Sequence, residues 1–434
     1  MMISQRPSES KSVSICLVVG EASGDAQGAL LAKALRAEFD QHGIKTNLWG
    51  SAGPQMIASG VEPVVHVNEL NAMGIAEVIA VYPRLSSAAH RLQAELKRRS
   101  PDITILIDYP GLNLRLMEDA YHMGSCVVYH IPPKVWAHGI GRITRLRDCT
   151  FLVTCILPFE EKLLRHAGIN AHFVGNPLKD QIQDLEGRHA NILAGKIHHA
   201  EVRECIGLVP GSRTGEVERV FPEMIRAFAR TRTALNRPLK AVVPVAPTVS
   251  QDWLEAILRQ TLASEEQNQY SEVPEIEFVQ SRPLIEVLQG CQYAWVCSGT
   301  AALEVALLGI PHSVVYKMHW LSYSIAQRIV KLPFISLENL CSGREIVPEF
   351  IQDKMTAEAL SAHALTILKS PERAEHMRSE LLALRQLFPP HSAQNAAAAV
   401  LDCYLNLPTE SSKRFHAKAV RELIIEDEEW GVNR

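Results

Sequence analysis

Short apolar runs that alternate with longer segments of helical spacing leave a chain little choice but parallel βαβ units. The first run is Val13–Val19, followed by Gly20 and by helical spacing from about Asp25 to Phe39. Ile103–Ile107, Cys126–Tyr129, Phe151–Ile156 and Ala171–Val174 repeat the pattern, with Leu85–Arg99 as one intervening helix. A polar stretch from Lys179 to Glu204 carries no strand signal and reads as a linker with one or two helices. The pattern then restarts at Cys205–Val209, with a helix at about Val217–Thr233, and continues through Leu239–Val245, Ile276–Val279, Tyr293–Cys297 and Ser313–Tyr316. Helices are expected at Leu321–Lys331, Thr356–Leu368 and Pro371–Leu387, and an Ala-rich one ends near Leu405.

The expected fold class is therefore α/β, with two Rossmann-like doubly wound domains and a cleft between them. The boundaries read as a disordered lead (1–12), an N-terminal domain (13–178), a linker (179–203), a C-terminal domain (204–370), C-terminal helices (371–407) and a charged tail (408–434). A length of 434 residues suits two cores better than one. No run of about 18 apolar residues predicts a membrane span, and the polar start, Met1–Ser10, does not read as a signal peptide. The 44 basic and 48 acidic side chains give a net charge of −4, without the basic excess of a nucleic-acid binder. Nine scattered cysteines contain no CxxC pair, so neither a redox motif nor a metal cluster is expected. Cys16, Cys126, Cys155, Cys205 and Cys297 lie in apolar runs and read as small core residues of a protein in a reducing, cytoplasmic compartment.

The candidate sites are loops that follow strands. Gly20-Glu21-Ala22-Ser23-Gly24-Asp25 places two glycines before a helix, where a ligand can approach the backbone, or where Asp25 simply caps the helix. Asp108 directly follows a strand, at the carboxyl edge where open α/β sheets bind ligands. It suits a general base for a hydroxyl, or an acceptor for the Pro110-Gly111 turn. In Ile131–His138, Trp136 either stacks on a sugar or packs; His138 has no second ligand at helix spacing, so no metal is proposed. Gly211, Ser212 and Arg213, with Glu216 after them, suit a diphosphate at a helix start. Ser298-Gly299-Thr300 leaves another helix start bare for phosphate oxygens, with Glu304 one turn further to take ribose hydroxyls. The apolar stretch Leu70–Val81 either buries itself or faces acyl chains. The chain has no P-loop, GxSxG or Asp-x-Asp.

These loops, in order, make the chain similar to the lipid-A-disaccharide synthase family, over about Ser14 to Leu405. Further marks are Gly50–Pro54, Met73-Gly74 with Glu77-Val78, Asp108-Tyr109-Pro110, Val135-Trp136-Ala137, Leu157–Glu160, Val174–Pro177 and Pro210–Arg213 with Glu216–Glu218. Ser298–Glu304, Ser336-Leu337, Asn339-Leu340 and Gly343-Arg344-Glu345 complete the set. The resemblance implies a GT-B glycosyltransferase that needs neither metal nor cofactor. It would join UDP-2,3-diacylglucosamine to 2,3-diacylglucosamine 1-phosphate with inversion, at the inner membrane surface, without nucleic acid, and in a domain-swapped homodimer. It makes Asp108 the base. It gives substrate contacts to Glu21, Ser23, Gly24, Asp25, Met73, Asn113 and Trp136. It extends them to Gly211, Ser212, Arg213, Ser298, Gly299, Thr300, Glu304, Asn339, Arg344 and Glu345. The chain departs from the family pattern at Leu112, at Ile131-Pro132, at His138 and at Glu338, where proline is usual. A relative with another lipid acceptor, or a binder without turnover, would fit those departures, which the resemblance places on the acceptor side.

Overall fold

The computed structural model describes residues 12–70, 75–136, 141–193, 203–264, 275–319 and 332–407; side chains are described outside 75–82, 188–193 and 203. The predicted helix 321–331, Met73, His138 and the tail from 408 lie outside the described residues. The chain divides into two compact units, residues 1–177 with 389–434, and residues 178–388.

The first unit is built on a sheet of β1 (Ser12–Val18), β2 (Lys45–Ala52), β3 (Glu62–His66), β4 (Ile103–Ile107), β5 (Cys126–His130), β6 (Leu152–Cys155) and β7 (Ala171–Phe173). Its order is β3-β2-β1-β4-β5-β6-β7, with parallel neighbours throughout. The chain order reverses between β1 and β4, so the loops after these two strands diverge and leave a crevice at their carboxyl ends. The connecting helices are α1 (Ala22–Gln41), α2 (Pro54–Ala58), α3 (Val67–Leu70), α4 (Ile75–Arg99), α5 (Pro110–His122), α6 (Gly141–Cys149) and α7 (Pro158–His166). Leu31, Leu35 and Phe39 recur on one face of α1 and enter the core on one side of the sheet. Leu92, Leu96, Leu116 and Leu164, from α4, α5 and α7, fill the other side.

The second unit carries β8 (Arg203–Val209), β9 (Lys240–Pro244), β10 (Ile276–Val279), β11 (Cys291–Cys297), β12 (His312–Tyr316) and β13 (Glu349–Ile351). Its parallel sheet runs β10-β9-β8-β11-β12-β13, with the reversal between β8 and β11. Its helices are α8 (Pro177–Leu193), α9 (Thr214–Leu235), α10 (Gln251–Ala263), α11 (Leu284–Leu288), α12 (Thr300–Leu307), α13 (Leu337–Ser342), α14 (Ala357–Leu368) and α15 (Pro371–Gln386). Among the described residues, no helix is long and apolar enough to cross a membrane.

The last helix, α16 (Ser392–Leu405), belongs to the first unit, whereas α15 belongs to the second. Ala396, Ala397, Val400 and Leu401 of α16 are buried with Leu31, Leu35 and Phe39 of α1. The alanines let the two helices approach closely. Burial of these four side chains contributes on the order of 5 kcal/mol. Gly175 permits the chain to return. It sits at φ 99°, and a Cβ there would lie 2.5 Å from the Pro389 carbonyl oxygen. Asn395 Nδ2 then donates to the Val174 oxygen at 3.0 Å.

Candidate active site

The predicted loops converge on the two crevices, one in each unit. In the first unit, Gly20 and the Asp108 loop meet because β1 and β4 are neighbours. A Cβ on Gly20 would lie 2.2 Å from the Tyr109 ring, so only glycine leaves that ring its seat. Glu21 and Ser23 are exposed at the start of α1, with Ser23 Oγ donating to Glu21 Oε1 at 2.5 Å. Gly24 is buried against Val19.

Asp25 was a candidate ligand contact, and its side chain is committed elsewhere. It is 3% exposed. Its carboxylate accepts from the backbone N–H groups of Gly53, Gln55 and Met56 at 2.9, 2.9 and 3.0 Å. It thus caps α2 rather than its own helix and holds the chain after β2 against α1.

Asp108 lies one residue beyond β4, and its N–H donates to the His130 oxygen at 2.9 Å, extending the β4–β5 ladder. Asp108 and Tyr109 then take φ values of 47° and 44°. Two successive non-glycine residues in the left-handed region cost about 1–3 kcal/mol each, which the surroundings must offset. Burial pushes the Asp108 carboxyl above its usual range, and the negative charge of Glu21 adds to this; the Tyr109 N–H and the Lys134 ammonium oppose it. A carboxylate of raised pKa at a sheet edge is suited to accept a proton.

Asn113, predicted to touch substrate, is fully buried. Its Nδ2 donates to the oxygens of Ile107 and Asp108 at 3.1 and 2.7 Å. Trp136 is also anchored. Its indole N–H donates to Glu160 Oε1 at 2.9 Å, Phe159 packs edge-on at 5.2 Å, and the Lys134 ammonium stands 6.0 Å from its ring centre. Burial raises Glu160 to about 7, opposed by the Trp136 N–H. Tyr129 and Lys134 escaped the sequence reading. A tyrosine inside an apolar strand and an exposed lysine give no local signal.

In the second unit, the predicted phosphate loops are adjacent. Gly211 sits at φ 101°, and a Cβ there would come within 3.4 Å of Cys297 Sγ and of Glu216 Oε2. The turn after β8 therefore lies against the end of β11. Thr248 Oγ1 pins it by donating to the Ser212 oxygen at 2.6 Å. Arg213 is exposed and pairs with Glu216 at 2.9 Å, a contact that raises its pKa. Neither α9 nor α12 has a side-chain N-cap; the Glu216 N–H turns back to the Arg213 oxygen and the Ala302 N–H to the Gly299 oxygen, which leaves the leading N–H groups of each helix without a side-chain cap. Ser298 Oγ donates to the Ile335 oxygen at 3.3 Å, which brings the start of α13 beside this turn. Thr300 is exposed and Gly299 partly so. Burial raises Glu304 to about 7, with no hydrogen bond from its carboxyl among the described residues.

Asn339 does not reach outward, and its predicted ligand role gives way to a scaffolding one. It is fully buried. Its Oδ1 accepts from the Ile346 and Val347 N–H groups, and its Nδ2 donates to the Val347 oxygen and to Glu349 Oε1. Arg344 and Glu345 are exposed after the left-handed Gly343, and Arg344 pairs with Glu380 of α15. Glu338 is not on an acceptor surface either. It is buried in the second unit, with Oε1 3.2 Å from His312 Nε2, while His312 Nδ1 donates to the Ile310 oxygen at 2.8 Å. Leu112 is a core residue of the first unit. Among the described residues, no group of three or more His, Cys, Asp or Glu side chains is placed to hold a metal ion.

Residues 15–402 match the family described as lipid-A-disaccharide synthetase. A lipid-A-disaccharide synthase from Syntrophus aciditrophicus is 34% identical over 388 residues, which cover 89% of this chain and 97% of that protein. Among solved structures, UDP-GlcNAc 2-epimerase from Neisseria meningitidis bound to UDP-GlcNAc aligns with a TM-score of 0.53 at 10% identity, over 91% of this chain and 99% of that one. CalG4, the calicheamicin glycosyltransferase, aligns with a TM-score of 0.51 at 15% identity, over 92% and 100%. At such identities these structures share the fold alone, that of the two-Rossmann, GT-B class.

Proposed function

The chain belongs to the lipid-A-disaccharide synthetase family, glycosyltransferases of lipid A biosynthesis, and from that premise we propose the reaction and the part each residue takes in it. UDP-2,3-diacylglucosamine gives its sugar to the 6-hydroxyl of 2,3-diacylglucosamine 1-phosphate. Inversion at the anomeric carbon yields the β-1,6 disaccharide 1-phosphate and UDP. The observation that carries this reading is Asp108, a carboxyl of raised pKa held in a strained turn at the carboxyl edge of the first sheet.

The acceptor hydroxyl passes its proton to the Asp108 carboxylate as its oxygen attacks the anomeric carbon. The bond to UDP breaks, and negative charge develops on the departing diphosphate. The open N–H groups at the starts of α9 and α12 are fixed dipoles suited to that charge. Arg213 exchanges Glu216 for a phosphate oxygen. Glu304 takes the ribose hydroxyls. Asp25, Asn113 and Trp136 act as scaffold in the first unit, and Asn339 does so in the second. The acyl chains of donor and acceptor place the working enzyme at the inner membrane surface, bound peripherally. No metal or organic cofactor has a part in these steps.

The test is a transfer assay with purified protein and both acylated substrates, read by mass spectrometry. The tetra-acyl disaccharide 1-phosphate should appear with UDP. Failure to form it, with the UDP-sugar still bound, would assign a different acceptor to this chain.

A further inference from the structure

The turn that carries Asp108 is held by more than its own sequence. Its carbonyl oxygen receives two donors, Asn113 Nδ2 from the first turn of α5 and the Tyr129 hydroxyl from β5, each at 2.7 Å. Tyr129 is fully buried, so its hydroxyl has this carbonyl rather than water as a partner. The next residue is fixed separately. The Tyr109 ring lies on Gly20, and its hydroxyl donates to the Leu70 oxygen at 2.7 Å. Two left-handed residues in succession persist only where such contacts over-determine them.

We infer that Tyr129 is a positioning residue for Asp108: with Asn113 it clamps the Asp108 carbonyl, and so fixes the direction in which the Asp108 carboxyl is presented. This rests on the role proposed for Asp108. The donors arrive from two elements on different sides of the turn, so the loss of one lets the peptide rotate towards an unstrained conformation. A carboxyl that swings out of its half-buried seat regains water and falls back towards the ordinary carboxylate range. The charged and titratable groups around it are Glu21 at the start of α1, Lys134 after β5, and Tyr109 and Tyr129 themselves; Arg142 of α6 acts on Tyr129. None of these is altered in charge when the Tyr129 hydroxyl is removed at neutral pH.

The experiment uses full-length Tyr129→Phe, which keeps the buried ring and removes one donor. Transfer should fall at least ~10-fold in kcat with the donor KM within about twofold, as misplacement of a reacting group demands. The acid limb of the rate profile should move to lower pH. A 13C carboxyl titration, with the Asp108 signal identified by its absence from Asp108→Asn, should show the same downward move without reference to turnover. Gly20→Ala is the second variant, since a Cβ there displaces the Tyr109 ring and disturbs the turn while keeping both donors to the Asp108 oxygen, Asn113 and Tyr129. It should reproduce both effects if Tyr129→Phe fails to fold. An unchanged Asp108 titration in a folded variant overturns the clamp. Full transfer by Asp108→Asn overturns the base assignment instead, and leaves the titration to decide the clamp alone.

Discussion

Replacing Asp108 by asparagine keeps the shape of the side chain and removes its capacity to accept a proton. Transfer should fall by ~10²–10⁴-fold, while UDP affinity measured by calorimetry stays the same, because UDP is assigned to the other unit. Arg213→Ala should do the reverse, weakening UDP by roughly 1.5–3 kcal/mol, the range of a hydrogen bond to a charged group. Unchanged UDP affinity would remove Arg213 from the site. Glu304 gives a stability prediction. Its pKa of about 7 in the folded chain lies above the ordinary 4.5, so the folded state holds a proton that the unfolded state releases first. That contribution is complete below about pH 4.5 and is lost as pH rises to about 7. Glu304→Gln should therefore melt higher than the natural protein at pH 8, by a difference worth ~1–3 kcal/mol. The two should melt alike below pH 4.5, and a pH-independent difference would contradict the assignment.

At the scale of elements, Asp25 tests the junction between α1 and α2. Asp25→Ala strands three N–H groups and should cost ~3 kcal/mol or more by denaturant unfolding. Asp25→Asn should cost less, because Oδ1 still accepts from Gly53 and Met56 while the new amide faces the Gln55 N–H. The same region shows where sequence reading stops. Strands such as Ile103–Ile107 were legible because both faces are buried and four of the five residues are large and apolar. β2 was not, since its first half is exposed and its buried end contains Gly50 and Ser51. Gly50 passes where a Cβ would meet the Leu17 oxygen at 1.9 Å, and Ser51 Oγ bonds both the N–H and the oxygen of Val19. Close backbone approach and a satisfied polar atom replace the apolar signal there. The site was legible in the same uneven way. The loops after β1, β4, β8 and β11 were readable as sheet-edge turns. The difference between Asp108, with its raised pKa, and Asn113 or Asn339, consumed by backbone, depends on partners far along the chain.

The molecule as a whole comprises two units, each with its own sheet and core, so its unfolding should resolve into two calorimetric steps. UDP at about 100 times its Kd should raise only the step belonging to residues 178–388, by ~2.7 kcal/mol. Removal of residues 389–434 should abolish the other step although residues 1–177 are all present, because α16 then no longer covers Leu31, Leu35 and Phe39. A shortened chain that keeps both steps would show α16 to be dispensable.

The return of α16 also sets an order of events during synthesis. Domains generally fold as they leave the ribosome, N-terminal first. Here the segment that completes the N-terminal unit is made after the whole of residues 178–388. The second unit can close while the chain is still being extended, whereas the first must wait, with one flank of its core open, until Ser392–Leu405 has emerged. The half that contributes Asp108 is thus the last to mature, so a nascent chain completes residues 178–388 before the turn that carries Asp108 is secured.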